Sequence, residues 1–252
     1  MRSALRFARL FAVLGLGAAF GVLVALLCAL TRRELLPLRQ RLTRVFLARL
    51  GRALPFRLRI EGEAPSQPML WVSNHISWAD IPLIGGLAPL SFLSKSDVRR
   101  WPLAGWLAQQ AGTLFIRRGA GDSGQLSQSM AQRLRLGLPV LIFPEGTSSD
   151  GSGVRHFHGR MLSAAIDTQR PLQPLAISYL RAGERDPLAP FVGDDELVAH
   201  LRRLFAGDIA EVRIQFLEPI ASLGRSRSQL ADEARASIER ALYGERETAQ
   251  AA

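Results

Sequence analysis

Along the chain, apolar and polar positions change period three times, and each change predicts a different kind of element. Residues 10–30, "LFAVLGLGAAFGVLVALLCAL", run for twenty-one positions without a charge. As a helix the run would be about 31 Å long, enough for a hydrocarbon core of ~30 Å. It is too long for the apolar part of a signal peptide, and "TRRELL" follows it where a small-residue cleavage site would stand. A buried helix hairpin in a soluble core is the alternative. In "LRQRLTRVFLARLGRAL", Leu38, Leu42, Val45, Phe46 and Leu50 recur at helical spacing, with arginines 39, 41, 44, 49 and 52 on the other faces. That is a basic amphipathic helix, suited to an anionic lipid surface or, alternatively, to packing on a core.

After Pro55 the period becomes two. Phe56, Leu58 and Ile60 alternate with Arg57, Arg59 and Glu61, which predicts a strand. Short apolar runs at 69–73, 90–94, 112–118, 139–143 and 174–178 predict further strands. Helical spacing is expected over 81–87, 100–110, 123–136, 161–166 and 226–242, and the alternating 211–217 reads as an outer strand. Strands alternating with helices predict a single α/β domain with a largely parallel central sheet flanked by helices. The expected organisation is membrane-anchoring helices over 1–54, the domain over 55–244 and a flexible tail over 245–252.

Charge sharpens this division. Residues 1–60 hold twelve arginines and one acid, Glu34, whereas residues 61–252 carry twenty basic and twenty-one acidic side chains. The formal net charge of +10 therefore belongs to the N-terminal segment. It points to a membrane surface, and no nucleic-acid partner is expected of the nearly neutral domain. Arg32, Arg33 and the arginines after them favour the C-terminal side of the apolar run as cytoplasmic. Cys28 is the lone cysteine, so no internal disulfide can form.

Three segments could carry chemistry. "NHISWAD" places His75 just past a buried strand and Asp80 five residues on. Such a histidine can accept a proton from a hydroxyl while a carboxylate fixes its tautomer; equally, Asp80 could simply cap the next helix. "FPEGTSSDGSG", from Phe143, could offer amides and hydroxyls to a polar group, or be an ordinary strand-exit loop. "GTLFIRRG" ends a strand at Arg117 and Arg118, which could hold an anion or form a solvated edge. The chain lacks the spacing and lysine of a P-loop and any G-x-S-x-G elbow. His156 and His158 have no clear third metal ligand near them in sequence.

Taken in order, these segments resemble the glycerolipid acyltransferase family that includes 1-acyl-sn-glycerol-3-phosphate acyltransferase. "NHISWAD" matches N-H-x-x-x-x-D, "GTLFIRR" matches G-x-x-F-I-x-R, "FPEGT" matches F-P-E-G-T, and "LQPLAIS" matches the proline-containing strand block around Pro174. The resemblance implies His75 as general base and Asp80 as its orienter. It assigns Arg118, Glu145, Gly146 and Thr147 to positioning the acceptor's headgroup. It implies direct attack on acyl-CoA or acyl-carrier protein as co-substrate, with no metal or other cofactor. The implied acceptor is the sn-2 hydroxyl of 1-acyl-sn-glycerol-3-phosphate, giving phosphatidic acid in phospholipid biosynthesis at the cytoplasmic face of the inner membrane. Arg117 stands where many relatives carry an acid, and Gln173 where valine is common. "SSDG" and "RHFHGRML" resemble the bacterial branch containing lyso-ornithine lipid acyltransferases, so that lipid or another lysolipid is the alternative acceptor. A non-catalytic lipid-binding protein of the same fold is the remaining reading.

Overall fold

The computed structural model describes residues 2–101, 103–116 and 123–250. Two long helices come first, α1 (Arg2–Thr31) and α2 (Leu36–Ala53). They are followed by β1 (Phe56–Glu61), β2 (Leu70–Ser73), α3 (Asp80–Gly85), β3 (Ser91–Lys95), α4 (Ala104–Gln110), β4 (Leu114–Ile116) and α5 (Ser123–Arg135). The remainder is β5 (Val140–Ile142), α6 (Ser163–Thr168), β6 (Leu172–Arg181), β7 (Glu184–Arg185), α7 (Leu197–Ala206), β8 (Ala210–Phe216) and α8 (Arg227–Gln250). The last helix covers residues 245–250 of the expected tail.

The strands form one eight-stranded sheet in the order β1-β8-β6-β2-β5-β3-β4, with β7 pairing β6 as a hairpin. Every pairing is parallel except β6 with β7 and β6 with β8. The expectation of an outer strand at 211–217 is corrected here: β8 lies between β1 and β6, and β1 is the edge. The alternation of β8 has another cause. Its polar face lies on an uncovered side of the sheet, where Arg213 approaches Glu61 at 3.5 Å and Gln215 donates to Glu61 at 2.9 Å. Period two reports one wet face, which an interior strand can have as readily as an edge.

Adjacent residues of β2 serve opposite cores. Trp71 packs with Leu175, Ile177 and Ile214 beneath α1, α2, α3 and α7, while Leu70 and Val72 pack against α5, α6 and α8. Both faces of this strand are covered, which is why its sequence is apolar without alternation. Helix α7 was not among the elements expected from the sequence, although Leu197, Leu201 and Leu204 have helical spacing.

The inner face of α1 is docked on the domain. Arg6 donates to the backbone carbonyls of Phe205 and Gly207 at 2.7 Å each, satisfying the free C-terminal end of α7. Phe7 meets the Phe205 ring edge-on at 4.7 Å. Gly17 and Gly21 let Phe46 and Trp106 come so close that a Cβ at either position would sit 2.5 Å from a ring carbon. The opposite face leaves Leu5, Phe11, Val22, Leu23, Leu26 and Leu30 exposed.

Helices α2 and α3 also meet at small residues. A Cβ on Gly86 would lie 2.8 Å from Ala48 Cα, a backbone atom that cannot rotate away. Gly86→Ala should therefore push α2 from the helix that starts at Asp80, destabilising the protein by about 1–3 kcal/mol. The check is a melting temperature lowered by several degrees; an unchanged value would refute the tight contact.

Candidate active site

β2 ends at Ser73, and the next six residues turn back into α3. Asn74 anchors the turn by bonding both the N–H and the C=O of Ile177 on β6, at 2.9 Å each. His75 follows, with its side chain 19% exposed, while Asp80 is fully buried. His75 Nδ1 and Asp80 Oδ2 are 2.7 Å apart. The same Oδ2 accepts the backbone N–H groups of Ile76 at 2.7 Å and Ser77 at 3.0 Å. Asp80 Oδ1 accepts the Tyr179 hydroxyl at 2.5 Å. Burial, followed by the charge and hydrogen bond of Asp80, holds the Tyr179 phenol well above its ordinary range, so it remains a donor. Four donors thus converge on one buried carboxylate. With Nδ1 held by Asp80, Nε2 is the nitrogen of His75 left for a reacting group.

The loop after β5 forms the other wall. Phe143 stacks on the His75 ring, with centroids 4.1 Å apart and planes inclined by 16°. Glu145 is 4% exposed and turned inward. One of its oxygens accepts the His75 N–H at 2.7 Å and the other the Arg155 N–H at 3.1 Å. Burial raises the Glu145 carboxyl above its usual range, and the two amides oppose that rise. Gly146 turns the chain with φ +70°, a conformation that favours glycine. Thr147 is half-buried beside it. Ser149 N–H and Oγ both donate to the His75 carbonyl, at 2.8 and 3.2 Å. A third segment closes over these two, with Phe191 N–H on the Ile76 carbonyl at 3.0 Å and Ser148 Oγ on the Phe191 carbonyl.

Of the residues expected at the site, the structure brings His75, Asp80, Glu145, Gly146 and Thr147 into two adjoining loops. Arg117 and Arg118 lie outside the described residues. Asn74, Phe143 and Tyr179 were not read from the sequence as working parts. Tyr179 is 99 positions from its carboxylate, a separation that leaves no local pattern. His156 and His158 stack edge-on at 5.7 Å, and no group of three potential metal ligands occurs among the described residues.

Beside the dyad, Phe143, Trp78, Ile81 and Pro82 line one side of a cavity of about 380 Å³. It continues between α1, α2 and α4, past Leu14, Phe46 and Leu107, and Arg39 is the one charged residue on its wall among those described. Trp78 is held in place by its indole N–H, which donates to His200 Nδ1 at 3.0 Å. Burial lowers the His200 imidazole below its usual range, keeping it neutral and able to accept.

The Acyltransferase family pattern matches residues 56–178, from β1 through most of β6. Lyso-ornithine lipid O-acyltransferase of Pseudomonas aeruginosa is 54% identical over 244 residues, covering 97% of this chain and 95% of that protein.

The chain belongs to the acyltransferase family.

It is an acyltransferase, with the oriented histidine and apolar cavity described above. A second relative, 1-acyl-sn-glycerol-3-phosphate acyltransferase of Neisseria meningitidis, is 30% identical, with 66% of each chain covered. Among solved structures, the 1-acyl-sn-glycerophosphate acyltransferase PlsC of Thermotoga maritima matches with a TM-score of 0.66. The match covers 98% of both chains at 22% identity, a likeness of fold that includes both N-terminal helices.

Proposed function

We propose that this acyltransferase moves a fatty acyl group from a thioester, acyl-CoA or acyl-carrier protein, to the free hydroxyl of lyso-ornithine lipid. The observation carrying the chemistry is the 2.7 Å contact between His75 Nδ1 and buried Asp80, with Phe143, stacked on the imidazole, lining an apolar cavity alongside. Extended identity to a lyso-ornithine lipid O-acyltransferase supports this acceptor over the 1-acyl-sn-glycerol-3-phosphate that the motif resemblance first implied.

In this reading His75 Nε2 takes the proton of the acceptor hydroxyl as its oxygen attacks the thioester carbonyl. Asp80 fixes the tautomer and stabilises the imidazolium. The C–S bond then breaks, and the leaving thiolate recovers the proton from Nε2. A thioester is already activated, so positioning and one base account for most of the required acceleration. The cavity between α1, α2 and α4 takes an acyl chain. Arg118, Gly146 and Thr147 position the acceptor headgroup, Arg118 through its carboxylate, or through the phosphate of a glycerophosphate acceptor. Glu145 serves the same loop by holding the amides of His75 and Arg155.

The exposed apolar side of α1 and the basic α2 meet the bilayer together. The docking of the inner side of α1 along the domain from Arg6 to Gly21 supports a helix that lies in one leaflet with the domain at its surface. The domain faces the cytoplasm at the inner membrane, where both donors are found.

The deciding experiment offers the purified enzyme lyso-ornithine lipid and 1-acyl-sn-glycerol-3-phosphate in parallel, each with both donors. A higher kcat/KM for lyso-ornithine lipid is expected. Preference for the glycerophosphate would restore that acceptor, and no thioester consumption with any pair would leave a lipid-binding protein.

A further inference from the structure

Asp80 has two carboxylate oxygens with different tasks. Oδ2 faces His75 and two backbone amides, whereas Oδ1 faces the hydroxyl of Tyr179 at 2.5 Å. The tyrosine projects from β6, the strand on which Asn74 also anchors the histidine turn. It is 2% exposed, and its ring meets Phe56 edge-on at 5.2 Å, so the hydroxyl cannot swing away to solvent. A short bond from a neutral donor draws charge toward Oδ1 and away from the oxygen that holds the imidazole.

We propose that Tyr179 is a positioning residue of the acyl-transfer site, setting through Asp80 the basicity of His75. This rests on His75 being the base of the reaction. The hydroxyl withdraws part of the Asp80 charge, and with it part of the stabilisation that Oδ2 gives to a proton on the imidazole. It also fixes the plane of the carboxylate, because the backbone amides hold Oδ2 alone.

Other charged and titratable groups around this pair have partners of their own. Asp186, near the phenol, is clamped by two guanidinium nitrogens of Arg181 at 3.0 Å each. Glu145, on the far side of His75, holds two backbone amides. His200 of α7 is kept neutral by burial and accepts from Trp78 in the same turn. Tyr179 is thus the side chain besides His75 that bonds the Asp80 carboxylate among the described residues.

The test is the pH dependence of kcat/KM for acyl transfer in Tyr179→Phe. Removing the donor returns charge to Oδ2, so the acid limb should move to higher pH by about 0.5–1 unit. A several-fold lower kcat at neutral pH and a nearly unchanged KM are expected with it. The chain has two tyrosines, so Tyr243→Phe protein grown with 3-fluorotyrosine carries the analogue at position 179 alone. A more acidic phenol donates more strongly, and the limb should then move to lower pH relative to Tyr243→Phe. Limbs that stay in place in folded Tyr179→Phe protein, or that move the same way in both variants, would overturn the assignment. An inactive wild-type enzyme would instead count against the acyl-transfer reading itself, and so the two failures can be told apart.

Discussion

Replacing His75 with alanine should lower kcat/KM for acyl transfer by about 10²–10⁴-fold, the usual contribution of a positioned general base. The protein should still fold. The ring lies over Phe143 at the domain surface, and Asp80 would keep three of its four donors: Ile76 N–H, Ser77 N–H and the Tyr179 hydroxyl. The lost bond is worth about 1 kcal/mol of stability. Activity is measured as labelled acyl incorporation into lyso-ornithine lipid at matched protein levels, with folding followed by circular dichroism. Binding of acyl donor should be retained, because the apolar cavity is built by α1, α2 and α4. Full activity in His75→Ala would remove the base assignment, and with it the proposed mechanism.

Asp80→Asn should be nearly as damaging to kcat, by about 10²–10⁴-fold, with a much smaller change in KM. The reason is specific to the surroundings of this carboxylate. Alanine would leave two buried amides and a buried phenol without a partner, at about 1–3 kcal/mol each, and the turn would be lost. Asparagine can keep its oxygen toward Ile76, Ser77 and His75 Nδ1, while its NH₂ meets a Tyr179 hydroxyl rotated to accept. The fold then survives, but the negative charge that stabilises the imidazolium is gone. A folded Asp80→Asn enzyme with wild-type kcat would show that Asp80 only holds the turn before α3 together. Loss of kcat together with a normal melting temperature is the expected result.

Much of this was legible along the chain because it is local. The apolar run within α1, the arginine faces of α2 and the continuous burial of β2 all follow from side-chain period against the period of one element. His75 and Asp80 are five residues apart, so a single turn into α3 suffices to join them, and their motif could be read directly. Glu145 was legible as a residue of the site, but its direction was not. The family resemblance implied a headgroup contact, whereas both of its oxygens meet backbone amides, one of them from His75, 70 positions earlier. The place of β8 failed for a related reason: alternation records which side of a strand is wet and says nothing about its neighbours.

By itself, the sequence determined the α/β class, the apolar and basic N-terminal helices, the motif order and the histidine with its carboxylate. Each depends on residues close together in the chain. The tertiary structure alone decided that Tyr179 reaches Asp80, that Phe143 supports the imidazole, and that α1, α2 and α4 enclose a cavity beside the base. Those contacts join segments tens of residues apart, and their energies depend on burial. Burial exists only once the sheet has brought β2, β5 and β6 side by side.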